Sequence, residues 1–176
     1  RQSGVLAVGS DVRATNLRIT HCGEFHYAAL GGGSHRLWHC TIVGEPYLFQ
    51  RDNPALLFSG SVELNGTTRR GEVVAQVANT VVWGVLPNEV GLLQNNAGGF
   101  FDAQFSHNLL KTPPASVVTF GATNLLGSPP RFTDPRRFDY TPAVGSPLLG
   151  QGTNLGVPTD LNGKPRGPQP SIGAYE

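Results

Sequence analysis

The chain has 176 residues, of which 23 are Gly and 14 are Pro, about one in five. Only 14% are charged, against roughly 25% in an ordinary soluble domain, and thirteen basic against twelve acidic side chains leave a net charge of +1. These figures exclude a helical bundle, because Gly and Pro cost about 1 and 3 kcal/mol each inside a helix; they exclude collagen, because the glycines keep no three-residue period.

In chain order, Val5–Val8 reads as a strand almost from the start. A short pattern then recurs: apolar, any, His or Asn, small polar, any, apolar. It is read at Ile19-Thr20-His21-Cys22, at Leu37-Trp38-His39-Cys40-Thr41-Ile42, at Val77-Ala78-Asn79-Thr80-Val81-Val82, at Phe105-Ser106-His107-Asn108-Leu109-Leu110 and, more weakly, at Gly121-Ala122-Thr123-Asn124-Leu125-Leu126. The copies start at 19, 37, 77, 105 and 121. A unit of about 20 residues accounts for the steps if the longest holds two units with one degenerate copy. Further strand-like runs lie at Phe25–Leu30, Ala55–Phe58, Val73–Val77, Val90–Leu93 and Val117–Phe120. Turn clusters such as Gly31-Gly32-Gly33-Ser34, Asn65-Gly66 and Asn95-Asn96-Ala97-Gly98-Gly99 separate them, since Gly and Asn accept positive φ cheaply.

A strand-turn unit of that length with one inward face predicts an all-β parallel β-helix. Like positions would stack ~4.8 Å apart, with Leu37, Val77 and Phe105 inward at one level and Ile42, Val82 and Leu110 inward after the bend. The coils are assigned to residues 1–127. From 128 to 176 prolines replace strands, and proline cannot donate to a ladder. This part reads as an irregular tail packing on the coils.

The tail carries the most specific text: Pro130-Arg131-Phe132-Thr133-Asp134-Pro135, then Asp139-Tyr140, Gly145-Ser146-Pro147, Asp160-Leu161-Asn162-Gly163-Lys164-Pro165-Arg166 and Ile172-Gly173-Ala174-Tyr175-Glu176. It resembles the C-terminal end of secreted bacterial right-handed parallel β-helix proteins of the pectin-lyase-like type. The resemblance implies the handedness of the fold, a secreted or cell-surface location and an association with polysaccharide. It does not imply a reaction. From their place in the tail, Asp134, Asp139, Tyr140, Asp160 and Tyr175 are read as structural, since carboxylates there can accept turn and loop N–H bonds.

The acidic residues are scattered, with no pair at equivalent repeat positions as a glycoside hydrolase would need. The leading expectation is therefore a non-catalytic scaffold or binding module, engaging polysaccharide or other surface proteins. The alternatives are the C-terminal piece of a polysaccharide lyase or hydrolase with its catalytic coils upstream, and a structural subunit of a larger surface assembly. The candidate ligand contacts are Trp38 and Trp83, taken as outward, and His21, His39 and His107 at one repeat position. For the histidines a coil-to-coil ladder is the favoured reading. Cys22 and Cys40 are open between a disulfide and two thiols. No metal or cofactor is expected, because Asp160-Leu161-Asn162-Gly163 offers too few oxygens for Ca²⁺. Nucleic acid is not an expected partner, since the arginine pairs 69–70 and 136–137 are isolated and phosphate binding needs clustered cations. No apolar run reaches the ~18 residues of a membrane span. The chain has no Met, and upstream coils or a partner chain are expected to cover its N-terminal end.

Overall fold

A computed structural model describes residues 2–44, 51–94, 99–113 and 117–176. The described residues are all-β, and thirteen strands enter three parallel sheets, visited in rotation until the last. The first sheet holds β1 (Val5–Val8), β4 (Tyr27–Leu30), β7 (Leu56–Ser59) and β12 (Val90–Leu93), in that order. The second holds β2 (Val12–Thr15), β5 (Gly33–Trp38), β10 (Val73–Ala78) and β13 (Phe101–Ser106). The third holds β3 (Arg18–Thr20), β6 (Thr41–Gly44), β11 (Val81–Gly84), β14 (Leu109–Leu110) and β15 (Leu125–Leu126). Val- and Leu-rich strands of two to six residues suit parallel sheets with a buried inner face.

The register places Ala14, Leu37, Val77 and Phe105 side by side, and then Ile19, Ile42, Val82 and Leu110. All eight belong to one apolar cluster that also takes Tyr27, Phe58 and Val90 from the first sheet. The inward assignments made from the repeat therefore coincide with this core.

Two repeat assignments need correction. The copy read at Ile19 is out of register, because Ile19 pairs with Ile42 and not with Leu37. The first copy starts at Ala14, and Asn16 rather than His21 stands at the turn position. The 40-residue step is a single unit, because Leu37 pairs directly with Val77. Part of its extra length is an antiparallel hairpin, β8 (Ser61–Leu64) and β9 (Thr67–Arg70), closed by Asn65-Gly66. Both turn residues have positive φ, 52° and 73°, as this tight hairpin turn demands. A hairpin pairs with itself, so it can be inserted without a matching unit in the stack.

Val117–Phe120 is one helical turn, α1, not a strand. It stands at the end of the stack, where Phe120 meets Phe105 edge-on at 4.9 Å. Most of the Asn95–Gly99 turn cluster lies outside the described residues.

The tail runs along the outer face of the third sheet. Val43, Val81 and Leu109 point outward yet are fully buried. Tyr140, Ala174 and Tyr175 cover Val43, while Leu148 and Ile172 cover Val81 and Leu109. Within the tail, β16 (Phe132–Asp134) and β17 (Asp139–Pro142) form a small antiparallel pair around a 3-10 turn at Pro135–Arg137.

Candidate functional site

Between the second and third sheets each unit turns on one residue with positive φ: Asn16, His39, Asn79 and His107, at 50° to 53°. Asn and His are among the residues that tolerate this conformation best. The next position carries a buried polar ladder. Thr80 Oγ1 accepts the Cys40 N–H at 3.2 Å, Asn108 Oδ1 the Thr80 N–H at 2.8 Å, and Asn124 Oδ1 the Asn108 N–H at 3.0 Å. These three bends are thus satisfied by a side chain of the following unit.

The tail clasps this row from outside. The Thr153 N–H donates to Asn79 Oδ1 at 2.9 Å, and Asn79 Nδ2 donates to Thr153 O at 2.6 Å. That fixes the amide, whose Nδ2 also lies 3.0 Å from His39 Nε2. Asn16 Nδ2 donates to Thr159 O, and Arg166 donates to Asn16 Oδ1, Gly173 O and Glu176 Oε1. Gly173, at φ 105°, lies so close to the sheet that a Cβ would stand 3.0 Å from Thr41 Oγ1; its neighbour Ala174 donates its N–H to that oxygen.

The tail residues singled out above have definite contacts. Asp160 Oδ1 accepts from the Asn162 and Lys164 amides and Oδ2 from the Glu176 amide. Asp134 accepts from the Arg137 amide and Asp139 from Thr141. Tyr140 and Tyr175 are packed on Val43.

The candidate ligand contacts separate into two groups. Trp83 is partly buried under the tail, with Phe132 and Lys111 beside it. His39 is buried at the clasp; burial, then the nearby Arg166 charge, brings its pKa down to about 4. Those two are covered. Trp38 stays on the open outer face of the second sheet, with the Arg36 guanidinium 4.2 Å above its ring. The register continues this face through Arg13, Arg36, Gln76 and Gln104 in one row. A shallow cleft of roughly 180 Å³ lies among Trp38, Gln76, Gln104 and Leu155. His21 also reaches the surface, edge-on to Phe138 at 4.7 Å. His107 is half-buried at the last turn of the row.

Cys22 and Cys40 are both free thiols. The corrected register removes the stacking premise, since Cys40 falls beside Leu17 and not beside Cys22. Burial pushes the Cys40 thiol up to about 11, which makes it a packing residue rather than a nucleophile. Among the described residues no group of three His, Cys, Asp or Glu side chains could hold a metal ion. No described helix is long and apolar enough to cross a membrane.

Sequence reasoning missed one buried charge pair. Arg51 Nη2 lies 2.8 Å from Glu89 Oε1, with both side chains almost wholly inaccessible. Glu89 also accepts from the Ala55 and Leu86 amides, and Arg51 donates to Asn53 O. Gly44 and Gly84 end adjacent strands and leave the room: a Cβ on either would collide with the pair. These aligned glycines after Val43 and Trp83 are the signal that could have found it. A carboxylate so fully bonded and enclosed has no access to substrate, so the pair is read as structural.

No protein-family model, no curated protein and no solved structure matches the chain.

Proposed function

We propose that this chain is a right-handed parallel β-helix module that acts as a non-catalytic binding scaffold of a secreted or cell-surface protein. Its open second-sheet face, centred on Arg36 and Trp38, engages polysaccharide or a surface protein. The observation that carries this reading is the unequal covering of the outward positions. The third sheet is sealed by the tail, whereas the second leaves a row of guanidinium and amide groups beside a partly exposed indole. Such groups donate to sugar hydroxyls, and an aromatic face stacks on the apolar side of a sugar ring. The resemblance of the tail to pectin-lyase-like proteins supports the fold and the ligand class. The scattered carboxylates favour binding over cleavage.

The test is depletion of the intact chain by insoluble polysaccharides, with product release followed in the same tubes. Binding without cleavage is expected, weakened at least tenfold in Trp38→Ala and Arg36→Ala. Accumulation of shortened chains would make the module an enzyme, and unchanged binding in both variants would move the site elsewhere.

A further inference from the structure

A second open cleft, of roughly 340 Å³, lies between the tail and the start of the third sheet, on the far side of the bend row from Trp38. Its walls come from Arg18, from Arg137 to Thr141, and from Asn162 and Tyr175. Three observations meet there.

The first is Phe138. It ends the 3-10 turn with φ 63°, a position usually given to Gly. A bulky side chain there is strained, and the residue is still 52% exposed. Folding gains little from an aromatic that is both strained and half in water. Strain kept in this way points to a site. His21, also at positive φ, props the ring from the side.

The second is charge. Arg18 uses one nitrogen on Phe138 O at 3.3 Å, which keeps its guanidinium at the cleft with further donors to spare. The Arg137 side chain is 88% exposed and meets Asp134 only at 3.7 Å. Asp139 is the carboxylate in the lining, and its Oδ1 is already taken by the amide and hydroxyl of Thr141. The lining therefore carries two cations, Arg137 loosely paired with Asp134 outside it, against the single Asp139 carboxylate.

The third is neutral polar chemistry. Asn162 and Thr141 line the same cleft as Phe138 and Tyr175. A ligand suited to all of this has a ring with an apolar face, an anionic group and hydroxyls.

We propose that this cleft is a separate site for an acidic sugar residue, carboxylated or sulfated, whose ring lies on Phe138 and whose anion is held by Arg18 and Arg137. It rests on the polysaccharide reading above and adds a place and a charge class to it. A planar guanidinium pairs two of its N–H groups with a carboxylate or sulfate.

Titration calorimetry on the full chain tests it with three probes: a uronide oligomer, a sulfated dextran oligomer and neutral dextran. At least one acidic probe is expected to bind, more weakly as salt rises, with neutral dextran at least tenfold weaker. The two acidic arms decide between carboxylate and sulfate. Phe138→Gly and Arg137→Gln should each weaken that binding about tenfold. Phe138→Gly should melt no lower than the wild type, because Gly suits the backbone there, so its loss of binding cannot be put down to misfolding. The proposal is overturned if both variants bind as the wild type does, or if neutral dextran binds equally well. Loss of acidic-probe binding in Trp38→Ala alone would overturn it while leaving the scaffold reading intact. If no polysaccharide binds at all, both fail together.

Discussion

From Val5 to Leu126 most strands bond backbone to backbone in parallel register, and like residues recur at like positions. From residue 128 to 176 there are two short antiparallel strands. The rest is held by turns, by Asp160, Arg166 and Glu176, and by contacts onto the third sheet. The first region derives its order from repetition, so a change in one unit is shared with its neighbours. The second derives it from single residues with several partners each. Repetition tolerates insertion, as the β8–β9 hairpin shows; a clasp built of unique contacts does not.

The largest effect is expected from removing residues 128–176. The buried outward residues Val43, Val81 and Leu109 would become an exposed apolar face, so the truncated chain should aggregate or lose its cooperative melting transition, read by light scattering and circular dichroism. An unchanged melting curve would reverse the comparison and make the tail dispensable.

Within the strand region, Glu89→Ala strands Arg51 in the interior and leaves two amides unbonded. A cost of about 3–5 kcal/mol is expected, as for other broken buried pairs, measured by urea unfolding. At the seam between the regions, Asn79→Gly keeps the backbone conformation but deletes the bonds to Thr153 and His39. About 2–3 kcal/mol should be lost, at roughly 1 kcal/mol for each hydrogen bond. If the glycine variant is as stable as the wild type, the clasp is held by apolar contacts alone.

Acid should act at the same seam. His39 is held at about 4 when folded, below its ordinary 6.5, so the neutral ring is the folded form. Its contribution is full above pH 6.5 and is lost as pH falls towards about 4, an effect of about 3 kcal/mol by linkage. His26, held at about 3 chiefly by burial, acts in the same direction and further into acid. Stability measured from pH 7 to 4 should decline, and His39→Asn, which suits the turn, should flatten the upper part of that slope. A pH-independent stability would mean that neither ring is buried.

The smallest effect belongs to the hairpin. Replacing Val62–Arg69 by a short Gly-rich link should change stability by less than about 1 kcal/mol, because loop length costs little. A fall of many degrees in melting temperature would show that the insertion is part of the stack.

Periodicity made the inward faces at Leu37, Val77 and Phe105 legible, because strict alternation leaves a mark in any single strand. The starting register was less legible. Cys22 and His21 imitate Cys40 and His39 next to an apolar residue, whereas the true copy, Ala14-Thr15-Asn16-Leu17-Arg18-Ile19, shares only the spacing of its apolar and turn positions. The 40-residue step misled because a hairpin counts as residues without counting as a stacked unit. The tail phrases were visible as text but not as contacts. Arg166 joins Asn16 and Glu176, 150 and 10 residues away, and no local pattern encodes such a meeting. The Phe138 cleft was missed for the same reason, since Arg18 and His21 approach it from the other end of the chain.

The clasp also has a consequence in time. Residues 172–176, which seal the third sheet, are the last of these 176 to be synthesised. Until they emerge, every strand of that sheet can pair and the inner cluster can close, but Val43, Val81 and Leu109 lack the cover of Ile172, Ala174 and Tyr175. Assembly along the stack and its sealing are therefore separate events. The interval between them is when a growing chain is most open to chaperones or to sticking to its neighbours.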